Sequence, residues 1–152
     1  MTSLIDSKTF TNDHSFSGAK GLVMIGDKTI VYRRSADAPV AQNLLDLPGG
    51  GRNDDESPFE TYAREVKEEF GLTIKPEDIV YSRRYQGQQN PSFFGYHIVA
   101  QLPASAAERI KFGNEGVSYE LMTVSQYLAR TDAWTDYQIR TRKYIDCINS
   151  IK

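Results

Sequence analysis

Apolar positions change period several times along this chain, and each change predicts an element. Leu-Val-Met-Ile at residues 22–25 and Thr-Ile-Val-Tyr at 29–32 are β-prone runs. The turn signal Gly26-Asp27 separates them, which predicts a hairpin. Residues 44–47 carry a shorter strand signal, ended by Pro48 and the run Gly49-Gly50-Gly51. The period then turns helical over residues 58–70. At about 100° per residue, Phe59, Tyr62, Ala63, Val66 and Phe70 share one apolar stripe. Ser57 is a good N-cap, Pro58 takes the first helical position, and Glu60 completes a capping box. Gly71 stands where a helix-ending glycine belongs.

Residues 79–85 and 93–102 read as strands, the second the longest strand signal in the chain, ended by Pro103. Residues 104–110 read as a helical turn or a connection, and 119–122 as a short strand. A short helix over 124–129 can be capped by Thr123 or Ser125. A closing helix, capped by Thr135, runs to about residue 149 with Tyr137, Thr141, Tyr144, Ile145 and Ile148 on one face. Strands on both sides of a long helix, with a closing helix, predict an α/β (α+β) sandwich. Residues 18–152 read as a single domain. The polar segment 1–17 before it reads as a poorly ordered lead-in, or at best an edge strand.

Composition narrows the classes of function. With 39% hydrophobic and 25% charged residues, the chain has the balance of an ordinary globular protein. Its apolar runs fall short of the roughly 20 residues a membrane helix needs, so no membrane span is expected. The N-terminus carries no apolar leader signal. Cys147 is a single cysteine and cannot pair within the chain, which fits a reducing, cytoplasmic setting. A net charge of −2 speaks against a nucleic-acid polymer as partner.

That charge is unevenly spread. In residues 50–72, Asp54, Asp55, Glu56, Glu60, Glu65, Glu68 and Glu69 face only Arg52, Arg64 and Lys67, a local net of −4. Taking Glu65 as zero on the helical wheel, Glu68 falls near −60° and Glu69 near +40°, beside the apolar stripe. Carboxylates so spaced repel one another by a few tenths of a kcal/mol per pair. Glu68 and Glu69 also occupy the last turn, where the helix dipole disfavours anions. The face is either a solvated one paired to Arg64 and Lys67, or a site for a hard divalent cation, which reverses the sign of both terms.

The spacing Gly50-x5-Glu56-x7-Arg64-Glu65-Val66-x-Glu68-Glu69-x-Gly71-Leu72, led in by Leu47-Pro48-Gly49, resembles a complete Nudix box. The resemblance implies a mixed sheet sandwiched between helices, with the box as loop–helix–loop. It implies hydrolysis of the diphosphate bond of a nucleoside diphosphate linked to another moiety, with Mg²⁺ or, in its place, Mn²⁺. By the same resemblance Glu65, Glu68 and Glu69 are metal-binding acids, Arg64 orients them, Gly50 brings backbone to metal and phosphates, and Glu56 supports the loop. Members of the family are frequently dimers, so a homodimer is compatible, although no interface is specified.

Outside the box, Glu115 in Gly-Asn-Glu-Gly is the best candidate for an additional metal ligand or general base, against the plain reading of an exposed loop acid. Glu120 is weaker, since it sits in an alternating strand. Arg33 and Arg34 end the second strand, and at most one of an adjacent pair can face a pocket. Arg34 and Gly51 are assigned to substrate, and the same alternation applies to Arg83 and Arg84. Phe93 and Phe94, with Tyr85 and Tyr96, are candidates for base stacking or for strand packing. Gln86, Gln88, Gln89 and Asn90 could read a base edge or solvate a loop, and Trp134 reads as packing. His14, His97 and Cys147 lack evident partners, so His- or Cys-based catalysis is not expected. The favoured substrate is a nucleoside triphosphate, ordinary or oxidised, giving the monophosphate and pyrophosphate. Nucleotide sugars come second, and a catalytically silent nucleotide-sensing module third.

Overall fold

The computed structural model describes residues 4–151, and among them the centre of the fold is a seven-stranded mixed sheet. β1 (Gly18–Ile25) and β2 (Lys28–Arg34) form the expected hairpin, pairing Met24 with Thr29 and Ile25 with Lys28 beside the turn. Beyond those pairs the two strands part, and residues 44–51 run between them. β3 (Leu45–Asp46) pairs with β2 and β4 (Gly49–Gly51) with β1, both antiparallel. The glycine run that ends the strand signal of residues 44–47 is therefore itself a strand. Gly49 has φ +131, and a Cβ there would lie 2.2 Å from the Ala19 carbonyl oxygen, so only glycine fits.

β5 (Ile79–Gln86) lies antiparallel to β6 (Phe94–Leu102), and β6 runs parallel to β1. β7 (Gly116–Met122) pairs with the outer side of β2 across a bulge at Arg33 and Arg34. It starts earlier than its signal because backbone pairing to β2 carries it through Val117 and Ser118, which are exposed and show no alternation.

α1 (Pro58–Phe70) has the bounds the capping signals predict. The Ser57 hydroxyl accepts from the Glu60 N–H at 3.2 Å and the Glu60 carboxylate accepts from the Ser57 N–H at 2.9 Å. Gly71, at φ 70, closes the helix by donating to the Lys67 carbonyl. Tyr62, Val66 and Phe70 are fully buried against Val23, Ile30, Tyr96 and Ile98. Each such side chain contributes roughly 2 kcal/mol of transfer free energy. The other sheet face packs Leu22, Val31, Leu45, Leu47, Tyr81 and Val99 against α2 (Val124–Leu128) and α3 (Thr135–Ser150). The result is the expected sandwich, helix on both faces of a mixed sheet. Thr123 caps α2, but Thr135 does not cap α3: it is the first helical residue, and Trp134 is the N-cap without a side-chain bond. Trp134 is placed by its backbone instead, donating to the Leu45 carbonyl at 2.9 Å.

Of residues 1–17, read as a loose lead-in or edge strand, residues 1–3 lie outside the described residues, and 4–17 are held at several points. Ile5 bridges Ser82 beside β5, the Phe59 N–H at the start of α1 donates to the Thr9 carbonyl, and Phe16 joins the core. Asp13, 6% exposed, accepts from Arg84 Nε at 3.1 Å, Tyr96 Oη at 2.8 Å and Ser15 Oγ at 2.7 Å. Among the described residues no helix is long and apolar enough to cross a membrane.

Candidate active site

The site forms where β4 meets the acidic stripe of α1. A Cβ on Gly50 would lie 2.6 Å from the Glu65 carboxyl carbon, so the missing side chain is what lets the strand backbone reach that acid. One position earlier, the Gly49 N–H donates to Glu69 Oε1 at 3.0 Å. Glu69 is only 3% exposed and packs in line with the apolar stripe. Burial pushes its carboxyl up to about 8, against the opposing pull of the Gly49 N–H and Lys20.

Arg64 joins the box into a unit. Its guanidinium donates to Glu56 (Nε to Oε2, 2.7 Å), to the Gly51 carbonyl (Nη2, 2.8 Å), to Glu65 (Nη1, 3.1 Å) and to Glu68 (Nη1, 3.2 Å). Glu56 also accepts from the Asn53 N–H and Thr61 Oγ1. Burial alone would raise its proton affinity. The bonds from Arg64, Asn53 and Thr61 outweigh that and hold its carboxyl below the ordinary range. Glu65 goes the other way: burial raises it, and Glu115 and Glu68 add to the rise against the pull of Arg64.

Glu115 is brought in by a device the sequence does not advertise. The α1 carbonyls of Phe70 and Glu69, orphaned by the helix end, accept from the N–H groups of Lys111 (2.8 Å) and Gly113 (2.7 Å). This docks the loop, and one carboxylate oxygen each of Glu65, Glu68 and Glu115 then lies within 4.8 Å of the others. Three acidic oxygens so close repel strongly, and one shared guanidinium does not neutralise them. An oxygen cluster beside a glycine that leaves the backbone open suits a hard divalent cation.

A cavity of about 380 Å³ opens from this cluster, with Gly50, Gly51, Glu65, Glu69 and Glu115 at one end and Lys20, Tyr32 and Arg34 in its wall. Asp46, fully buried beneath them, accepts from Lys20 Nζ at 2.6 Å, Arg34 Nη1 at 2.9 Å, Tyr32 Oη at 3.1 Å and the Leu47 N–H at 2.7 Å. Tyr85, Phe93, Trp134 and Tyr137 line the far end and continue into a second chamber of about 350 Å³.

The expected substrate residues separate accordingly. Arg34, Gly50, Gly51 and Phe93 line the cavity. Phe94 does not: alternation along β6 turns it to the other face, where the Arg84 guanidinium stacks on its ring at 4.0 Å. Arg33 pairs with Asp132 at 2.9 Å, Arg84 with Asp13, and Glu120 lies 3.9 Å from Arg130, all away from the cleft. Gln88, Gln89 and Asn90 line the second chamber, and Trp134, read as packing, lines both. Sequence reasoning missed Lys20, Asp46 and the cavity position of Tyr137. For Asp46 a signal existed: an acid bracketed by leucines in a short strand is a buried acid, and a buried acid needs cations.

The model of the NUDIX domain matches residues 17–142. Among solved structures, a MutT protein from Methanosarcina mazei Go1 is similar at 25% identity over 87% of this chain and 93% of its own, with a TM-score of 0.68. A bifunctional NMN adenylyltransferase/ADP ribose pyrophosphatase from Francisella tularensis shares the fold at 16% identity over 88% of this chain and 41% of its own, with a TM-score of 0.67. So does an Ap4A hydrolase from C. elegans, at 13% identity, 88% and 98% coverage and a TM-score of 0.65. No curated protein matches the chain. With the box, the sandwich and the domain match in agreement, this chain belongs to the Nudix family of pyrophosphohydrolases.

Proposed function

We propose that the protein is a Mg²⁺-dependent hydrolase of a nucleoside triphosphate, ordinary or oxidised, releasing the monophosphate and pyrophosphate. The observation that carries this is one continuous cleft joining the acidic cluster, a cationic wall and an aromatic end. It has the order of a nucleotide: phosphates, then sugar, then base. Gly50, Glu65, Glu68, Glu69 and Glu115 would hold the cation, with Mn²⁺ as a substitute. A bound divalent ion supplies neutralisation of phosphate oxygens and acidifies a water molecule. The chain does the rest. Arg64 keeps Glu65 and Glu68 oriented between reactions. Lys20 and Arg34, restrained by Asp46, present positive charge to phosphate groups along the wall. The base that takes the proton of the attacking water comes from the carboxylates of Glu65, Glu68 or Glu115.

A nucleotide sugar is the second reading, since the same cleft accepts any group beyond the second phosphorus. A silent sensing module fits less well, because Gly50, Glu65, Glu68 and Glu69 of the box are all present. The test is turnover of a panel of nucleoside triphosphates and nucleotide sugars, with and without Mg²⁺, with the products identified. Monophosphate plus pyrophosphate from a triphosphate supports the proposal, and a sugar phosphate as the main product selects the second reading. Turnover unchanged in Glu68→Gln overturns the catalytic assignment.

A further inference from the structure

A further cavity, of about 260 Å³, opens between β5 and α3 and contains none of the acids of the cleft. Tyr81, Arg83 and Tyr85 alternate along β5 toward it, while Arg140 and Lys143, three residues apart on α3, share one side of that helix. Tyr85 and Arg140 also line the second chamber, so the two spaces share a wall. Arg84, at the rim, is committed to Asp13. The other three cations are not. Arg83 donates only to Cys147 Sγ, at 3.8 Å, and Arg140 donates to the Gln86 carbonyl at 3.1 Å and stacks on the Tyr85 ring at 4.1 Å. Among the described residues no carboxylate pairs with Arg83, Arg140 or Lys143, and no acid lines the cavity. Cations gathered without a counter-charge repel one another, and half-buried ones are costly to leave unpaired.

The floor is His97, 1% exposed, whose Nδ1 has no partner among the described residues. The Thr141 hydroxyl donates to the Tyr137 carbonyl at 2.8 Å, which leaves its oxygen to accept from His97 Nε2, 3.5 Å away. The ring proton then sits on Nε2, and Nδ1 is a bare acceptor. The cavity therefore offers cationic donors around its sides and one acceptor beneath.

We propose that this cavity is a site for inorganic phosphate, separate from the acidic cluster, in which Arg83, Arg140 and Lys143 bind the phosphate oxygens and a remaining hydroxyl of the ion donates to His97 Nδ1. The charge selects an oxyanion, and the guanidinium forks suit phosphate geometry. The floor selects among oxyanions. Orthophosphate keeps at least one hydroxyl near neutral pH, sulfate keeps none, and a phosphate monoester has lost most of its own, with a second pKa of about 6. Free phosphate is thus the ion that supplies both the negative oxygens and the missing donor.

His14 and His97 are the two histidines of the chain, so imidazole nitrogen resonances of isotope-labelled protein read this site apart from the cleft. The whole protein, free of metal, is titrated at neutral pH and constant ionic strength with orthophosphate, sulfate and O-phosphoserine. The expected result is a saturable shift of His97 Nδ1 with orthophosphate while His14 stays unmoved. Sulfate and O-phosphoserine should bind about tenfold more weakly, the scale of one lost hydrogen bond. Arg83→Gln and Lys143→Gln should each weaken orthophosphate about tenfold, with circular dichroism confirming the fold. Lys143 is exposed, so its replacement leaves the packing intact. No saturable shift at His97, equal affinity for sulfate, or undiminished binding in both variants overturns the proposal. The titration uses neither metal nor turnover, so its outcome and that of the hydrolase test are independent.

Discussion

The backbone N–H of Gly49 donates to Glu69 Oε1 at 3.0 Å, tying the only all-glycine strand among the described residues to the one box acid that is buried. The bond fixes how β4 lies on α1. It also explains why the next residue tolerates no side chain.

Gly50→Ala places a methyl group about where the Glu65 carboxyl now sits, since the Cβ-to-Cδ distance would be 2.6 Å. Either β4 or Glu65 must move. The expected outcome is a loss of kcat/KM of at least about 100-fold, the scale set by misplacing reacting groups by an ångström. Steady-state kinetics with a Mg²⁺ titration check it. A variant with unchanged kinetics would show that the strand does not position the acid.

Arg64 shares one guanidinium among Glu56, Glu65, Glu68 and the Gly51 carbonyl. Lysine cannot reproduce that fork. Arg64→Lys should therefore lose activity almost as far as Arg64→Ala, by about 10- to 100-fold, as when an outer hydrogen-bond partner of a metal ligand is removed. The fall should appear in kcat and in the Mg²⁺ requirement. Full activity in Arg64→Lys would reduce the residue to a point charge.

Asp46 is the sole carboxylate bonded to Lys20 and Arg34 among the described residues, and it is fully buried. Asp46→Ala leaves two cations without their partner in a half-closed wall. A loss of about 3–5 kcal/mol is expected, the cost of removing one member of a buried ion pair. Urea denaturation measures it. A change under about 1 kcal/mol would mean that water already screens the cluster.

His97 predicts a pH dependence of folding. It is 1% exposed, its Nδ1 has no partner among the described residues, and Thr141 Oγ1 is 3.5 Å from its Nε2. Burial, aided by Arg140, pushes its pKa down to about 3, from 6.5. The native state therefore holds the ring neutral while the unfolded chain takes up a proton below 6.5. Stability from this group is complete above that value and is lost as pH falls toward 3, at about 1.4 kcal/mol per pH unit at most. Replacing it by Gln should flatten the decline between pH 6 and 4 in stability curves, whatever it does to stability at pH 7. An unaltered slope would place the acid sensitivity in the carboxylates.

What was legible beforehand follows the range of the forces involved. The α1 bounds are local physics: Ser57, Pro58, Glu60 and Gly71 satisfy orphan backbone groups within a few residues, so the sequence determined the helix, its apolar stripe and its crowded acids. The hairpin at Gly26 and the strands at β5 and β6 were legible for the same reason. Thr135 misled because a backbone bond from Trp134 to Leu45 places that helix start, and such a bond has no side-chain signature.

Tertiary structure alone decided the rest. The parting of β1 and β2 admits residues 44–51 and turns three glycines into a strand. Loop docking onto the end of α1 carries Glu115 to Glu65 and Glu68, acids about 50 residues earlier, and alternation at the entry to β6 leaves Phe93 in the cleft and turns Phe94 out of it. Each of these depends on which distant backbone or ring a group meets. A sequence states the chemistry a residue carries, but its partner is chosen only when packing closes the long loops between them.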